Sequence, residues 1–178
     1  MTRITNPAAV WQPLAVMSVR LQITSLNSTA ALARAVTAEL RPGSVVLLIG
    51  DLGAGKTTFT KALAEAAGVN EEVTSPTFTI MRPYDAQFSF GSASLLHLDA
   101  YRLGGPEPLD DLGIFELLDD GAVAVIEWGD LVASAFPDAL AIEFLVFDDD
   151  TRTATMTGDA QCMNRIAASS ALEGLVLC

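Results

Sequence analysis

Apolar positions along the chain fall into short runs with two distinct periods. Val19-Arg-Leu-Gln-Ile alternates, the pattern of a strand with one buried face. Residues 44–49 (SVVLLI) and 122–128 (AVAVIEW) are nearly continuous, the pattern of strands covered on both faces. Helical spacing occupies 29–40, behind the cap-type residues Asn27 and Ser28 and before Pro42-Gly43, and 56–67, closed by Gly68. Residues 78–84 and 94–99 predict two more strands. A short helix is expected at 114–118 inside the acidic, turn-rich stretch 104–121, and a helical turn at 131–135. Residues 139–147 and 151–157 predict a hairpin about Asp148-Asp149-Asp150, and 159–178 a weakly helical tail. Residues 1–17 hold Pro7 and Pro13 with no sustained period and predict a loose extension, which leaves 18–158 as one domain. Buried strands alternating with helices predict an α/β sandwich of three layers, with a mostly parallel central sheet and a C-terminal antiparallel hairpin.

Composition narrows the functional classes. The 178 residues are 51% apolar and 18% charged, which excludes a disordered chain. Mean hydropathy is +0.39, yet no apolar run approaches the ~20 residues of a membrane-spanning helix. Ten basic residues face 22 acidic ones, a net charge of −12. Affinity for nucleic acid comes mainly from basic groups neutralising phosphates, so a direct grip on DNA or RNA is not expected. Cys162 and Cys178 lack metal-ligand spacing and predict free thiols. With no secretion-type leader in view, the expected location is the cytoplasm.

The sharpest local signal is Gly50-Asp51-Leu52-Gly53-Ala54-Gly55-Lys56-Thr57, between a buried strand and a helix. Glycine, four residues, glycine, lysine and a hydroxyl residue form a phosphate-binding P-loop. The glycines let backbone N–H groups wrap an anion, and the helix N-terminus adds a favourable dipole. Lysine reaches the β- and γ-phosphates, and the Thr57 hydroxyl is placed to ligate Mg²⁺. Only two lysines occur, Lys56 and Lys61, and one of them stands in this loop.

Two carboxylates extend the site. Asp99 and Glu127 each end a predicted strand, at the edge where open α/β sheets bind ligands. Either one could order Mg²⁺ while the other orients water. Ser75-Pro76-Thr77-Phe78 follows the loop helix, where a hydroxyl such as that of Thr77 senses a γ-phosphate in switch segments; an ordinary turn fits equally. His97, the single histidine, lies on an apolar strand and is expected to be a core or edge residue without a catalytic role. Trp128 reads either as a lid against the nucleotide or as core packing or a structural residue near the site, the latter being favoured.

Taken in order, GDLGAGKTT (Gly50 to Thr58), SPTF (75–78), HLDAYRL (97–103) and IEW (126–128) resemble the TsaE (YjeE-type) P-loop ATPases. These act in bacterial synthesis of the threonylcarbamoyladenosine (t6A) modification of tRNA. The resemblance runs from about Val19 to Thr157. It implies a small P-loop NTPase-like fold and a weak, Mg²⁺-dependent ATPase working with a TsaD-type transferase and a TsaB-type partner. In that setting ATP hydrolysis resets the complex between turnovers. By motif, residues Gly50 to Thr58 would bind ATP, Lys56 holding its phosphates and Thr57 the Mg²⁺. Asp99 would match the Walker-B-like aspartate, Glu127 the glutamate near Mg²⁺ and Thr77 the switch threonine. Arg152 resembles an arginine lying near the nucleotide base.

The same residues leave two other readings open. One is a small-molecule kinase on a P-loop scaffold. After the P-loop helix, however, the chain has only Arg82, Arg102, Arg152 and Arg165 to clamp a transferred phosphoryl group. The other is a nucleotide-gated interaction module with negligible hydrolysis.

Overall fold

The computed structural model describes residues 16–74, 80–147 and 151–177. Strand β1 (Val16–Ile23) leads into helix α1 (Leu26–Glu39), and β2 (Val45–Ile49) into α2 (Lys56–Ala66). A hairpin of β3 (Met81–Phe88) and β4 (Gly91–Asp99) follows, then α3 (Ile114–Asp119) and β5 (Val123–Glu127). The chain ends in β6 (Leu140–Val146), β7 (Arg152–Asp159), α4 (Ala160–Ala167) and the short β8 (Val176–Leu177). All eight strands form one sheet in the order β3-β4-β5-β2-β6-β7-β1-β8.

The sheet corrects the expectation of a mostly parallel centre. The neighbours β4-β5, β5-β2 and β2-β6 are parallel. The pairs β3-β4, β6-β7, β7-β1 and β1-β8 are antiparallel. Antiparallel pairing therefore predominates, four pairings to three. Parallel strands need a crossover, and α2 and α3 supply such connections. Around them the sequence neighbours β3 and β4, and β6 and β7, pair antiparallel, and β1 from the N-terminal side and β8 after α4 add further antiparallel pairs. Hydrophobic periodicity does not encode strand direction.

Two faces of the sheet are covered. Val46 and Leu48 of β2, with Val123, Val125 and Leu95, share a core with Leu32 and Val36 of α1 and Phe59 and Leu63 of α2. The intervening Leu47, Ala124, Ile126, Leu96 and Leu98 point the other way, onto Leu109, Ile114, Val132 and Phe136. Successive strand side chains face opposite sides, so the continuous runs are continuous because both faces are buried.

Helix α1 begins earlier than its pattern suggests. Its N-cap is Ser25, whose hydroxyl accepts from the Ser28 N–H, while the Ser28 hydroxyl accepts from the Ser25 N–H. Serine thus completes a reciprocal capping box usually closed by Glu or Gln. Strand β1 begins at Val16, two residues before the expected domain boundary, paired to Asp159 of β7. The segment after residue 158 packs on the core through Met163 and Ile166, and Arg165 Nε donates to Glu39. The expectations for residues 1–15, for Ser75-Pro76-Thr77-Phe78, for the turn at 148–150 and for Cys178 lie outside the described residues.

Candidate functional site

The loop from β2 to α2 turns on glycines. Gly50, Gly53 and Gly55 have φ of 139°, 79° and 113°, a region L side chains avoid. A Cβ at Gly50 would sit 2.5 Å from the Phe144 carbonyl oxygen of β6. By contrast, nothing lies within 4 Å of the Cβ positions at Gly53 and Gly55. Helix α2 has Gly55 as N-cap and no side-chain cap. Its first-turn N–H groups therefore lack the partner a Ser or Asp would supply, which suits an anion. These features fit a phosphate group.

Lys56 is the first residue of α2 and only 5% exposed. Its ammonium donates to the carbonyls of Gly50 (2.6 Å) and Asp51 (2.9 Å). It also lies 3.8 Å from the centre of the Trp128 ring. Burial lowers its pKa below the usual lysine value, partly offset by the acidic groups of Glu127, Asp130, Asp51 and Asp99.

The carboxylates come from adjacent strand ends. Asp99 of β4 and Glu127 of β5 are register partners in the parallel pair. Glu127 Oε2 accepts from the Thr57 hydroxyl at 2.8 Å, and its Oε1 is 2.9 Å from His97 Nε2. Asp99 Oδ1 accepts from the Tyr101 N–H at 3.1 Å. Burial raises the Asp99 pKa, opposed by that Tyr101 hydrogen bond. Among the described residues no three His, Cys, Asp or Glu side chains converge into a metal cage. The Thr57, Glu127 and Asp99 oxygens instead suit Mg²⁺, which takes one or two carboxylates and completes its shell with water and phosphate oxygens.

Loop residues Leu52 to Thr58, Asp99, Tyr101, Glu127 and Trp128 line a cleft of about 540 Å³. A second cleft, about 280 Å³, opens on the other side of Gly53-Ala54-Gly55 against Thr24, Thr29, Phe144 and Arg152. A third, also about 540 Å³, lies near the start of β2 among Leu40, Phe115, Phe136 and Met163 and contains none of the motif residues.

A sequence profile described as "Threonylcarbamoyl adenosine biosynthesis protein TsaE" matches residues 23–154. The chain belongs to the TsaE family. The tRNA threonylcarbamoyladenosine biosynthesis protein TsaE of Treponema pallidum is 42% identical over 133 residues, 74% of this chain and 95% of its own. The Bacillus subtilis protein of the same name is 41% identical over 132 residues, 74% of this chain and 80% of its own. The crystal structure of Bacillus subtilis YdiB superposes with a TM-score of 0.67 at 32% identity, covering 86% of this chain and 93% of that one.

Within this TsaE-family fold, Lys56, Thr57, Asp99 and Glu127 come together around one cleft. Arg152 is brought to the far side of the same glycines. Thr77 lies outside the described residues. Two residues take a larger part in the site than the sequence reading gave them. Trp128 is a wall of the cleft, with its ring against Lys56 and 5.2 Å from that of Tyr101. It is the one described non-glycine residue with positive φ, at 58°, a strained conformation that surrounding structure must enforce. The next residue explains how: a Cβ at Gly129 would lie 2.6 Å from Leu47 Cβ, so glycine lets the chain pass against β2. His97 is buried as expected, yet it hydrogen-bonds the central carboxylate. The signal for it was strand register, which a single strand does not carry.

Gly50→Ala tests how tightly the loop is wedged. The added methyl meets a backbone oxygen, not a flexible side chain, at a φ alanine disfavours. The expected loss is about 3 kcal/mol, roughly 6–12 °C in melting temperature. An unchanged melting curve would contradict the close approach of the loop to β6.

Proposed function

We propose that this chain is the ATP-binding, weakly hydrolysing subunit of the cytoplasmic system that makes t6A in tRNA. It works with a TsaD-type transferase and a TsaB-type partner. The observation that carries the nucleotide reading is the Thr57–Glu127 hydrogen bond beside Lys56. It joins the P-loop to a strand-end carboxylate 70 residues away, the pairing an Mg²⁺–nucleotide site requires. The relatives, tRNA threonylcarbamoyladenosine biosynthesis proteins, supply the pathway.

The residues divide the work as follows. Bound Mg²⁺–ATP supplies the scissile phosphoanhydride and a divalent charge that offsets its negative charge. Lys56 exchanges its two carbonyl partners for phosphate oxygens. Thr57 would give its hydroxyl oxygen to the metal, and Glu127 and Asp99 would order the metal shell and the attacking water between them. Tyr101 and Trp128 form an aromatic wall that limits water access. Arg152, beyond the glycines, takes the base end of the nucleotide.

The charge balance supports a role through partners. A net charge of −12 disfavours direct tRNA binding, so tRNA is engaged by the transferase. An acidic surface complements a basic partner patch and speeds correct docking. The test is to add TsaD- and TsaB-type proteins from the same host and measure ATP hydrolysis and t6A formation. Slow hydrolysis alone, with at least ~10-fold stimulation by the partners, is expected. Absence of association would overturn the partner reading. Transfer of the γ-phosphate to a metabolite faster than to water would favour the kinase.

A further inference from the structure

We infer that His97 is a positioning residue that holds the Glu127 carboxylate in place when Thr57 turns away from it. The inference rests on the nucleotide reading above and deepens it. His97 is 0% exposed and lies on β4, between Leu96 and Leu98, which pack into the opposite face from α2. Its Nε2 stands 2.9 Å from Glu127 Oε1. A carboxylate only accepts hydrogen bonds, so Nε2 carries the hydrogen and donates. Nδ1 has no partner. With the hydrogen on Nε2, Nδ1 is a bare lone pair, and no buried N–H is left unpaired. The geometry thus selects one tautomer.

Glu127 is tethered at both oxygens, to His97 on β4 and to Thr57 on α2. These tethers are not equivalent. The Thr57 hydroxyl is the group the P-loop gives to Mg²⁺, so loading the site breaks or redirects its bond to Glu127. The imidazole lies behind the carboxylate in the core and lines neither cleft. Its hydrogen bond survives loading and fixes where the remaining oxygen points. A hydrogen-bond donor seated behind a carboxylate in this way orients it and limits its rotation. Leucine at position 97 would fill the space and leave Glu127 free to turn.

The test uses the untagged protein, in which His97 is the only histidine. Long-range ¹H–¹⁵N correlation of the imidazole is expected to show the Nε2–H tautomer, and an Nδ1–H tautomer would overturn the inference. ADP binding is then titrated in EDTA and across Mg²⁺ concentrations. His97→Leu is expected to raise the Mg²⁺ needed for half-maximal tightening about 10-fold, with the affinity in EDTA unchanged. His97→Gln, which keeps a donor at the reach of Nε2, is expected to restore the wild-type Mg²⁺ dependence. An unchanged Mg²⁺ dependence in His97→Leu, an equal loss in EDTA, or no rescue by Gln would each overturn it. Should His97→Leu fail to fold, His97→Asn, whose donor stops short of Glu127, replaces it against Gln. Wild-type protein that binds no ADP under either condition overturns the nucleotide reading and this one together. Normal Mg²⁺-dependent binding with a silent His97→Leu overturns this one alone.

Discussion

Lys56→Ala is expected to cut nucleotide affinity and ATP hydrolysis at least ~100-fold while leaving the fold intact. The side chain does little for stability. It buries a cation against two carbonyls and an indole ring, and burial is the leading cause of its lowered pKa. A base with a folded pKa below its unfolded value costs stability while charged. That cost is fully present below the depressed pKa and disappears as pH rises through it towards 10.5. Removing Lys56 therefore leaves melting unchanged or raises it at neutral pH. The advantage over wild type shrinks in alkaline solution. The same desolvation that penalises the empty loop strengthens the attraction to phosphate oxygens. Nucleotide titration and thermal melts of both proteins separate the two effects. Full ATPase activity in Lys56→Ala would remove the basis for placing the phosphates at this loop.

The parts of the fold and site legible from sequence are those with a local cause. The P-loop needs glycine where φ is positive and lysine where the helix begins, so its spacing alone located it. The strands β2 and β5 carry unbroken apolar runs because both of their faces are covered. What escaped depends on pairing. Tyr84, Ala86 and Phe88 alternate with exposed Asp85 and Gln87 in β3, but the small Ala86 weakens that period, and the strand was expected to end at Tyr84. The direction of β1 is set by β7, where Ile23 pairs with Arg152, 129 residues later, and no local pattern records it. His97 looked like a core histidine because it is one; its hydrogen bond to Glu127 exists only through the parallel register of β4 and β5. Trp128 gained its place in the cleft from a backbone turn that Gly129 makes possible against Leu47.

Glu127→Gln is expected to fold like wild type and bind nucleotide without Mg²⁺ as tightly. Hydrolysis should fall ~100-fold or more. The amide is nearly isosteric with the carboxylate. Its oxygen accepts from His97 Nε2–H and its nitrogen donates to the Thr57 oxygen, so both contacts of Glu127 keep a partner. Charge is what disappears. That charge is the largest of the acidic influences raising the Lys56 pKa, so Lys56 becomes a costlier cation and the melting temperature falls slightly. It is also one of the two carboxylates that line the cleft with Thr57, and Asp99, on the neighbouring strand end and held by the Tyr101 N–H, lacks the Thr57 contact that Glu127 makes. In a reconstituted reaction with TsaD- and TsaB-type partners, the variant should still assemble and support a first round of t6A formation. Later rounds should fail, because a complex that waits on hydrolysis to reset is trapped after one. Comparing product formed per complex in the first and later rounds makes the distinction. Normal repeated turnover by Glu127→Gln would mean that hydrolysis at this site does not reset the complex, and would favour the nucleotide-gated interaction module.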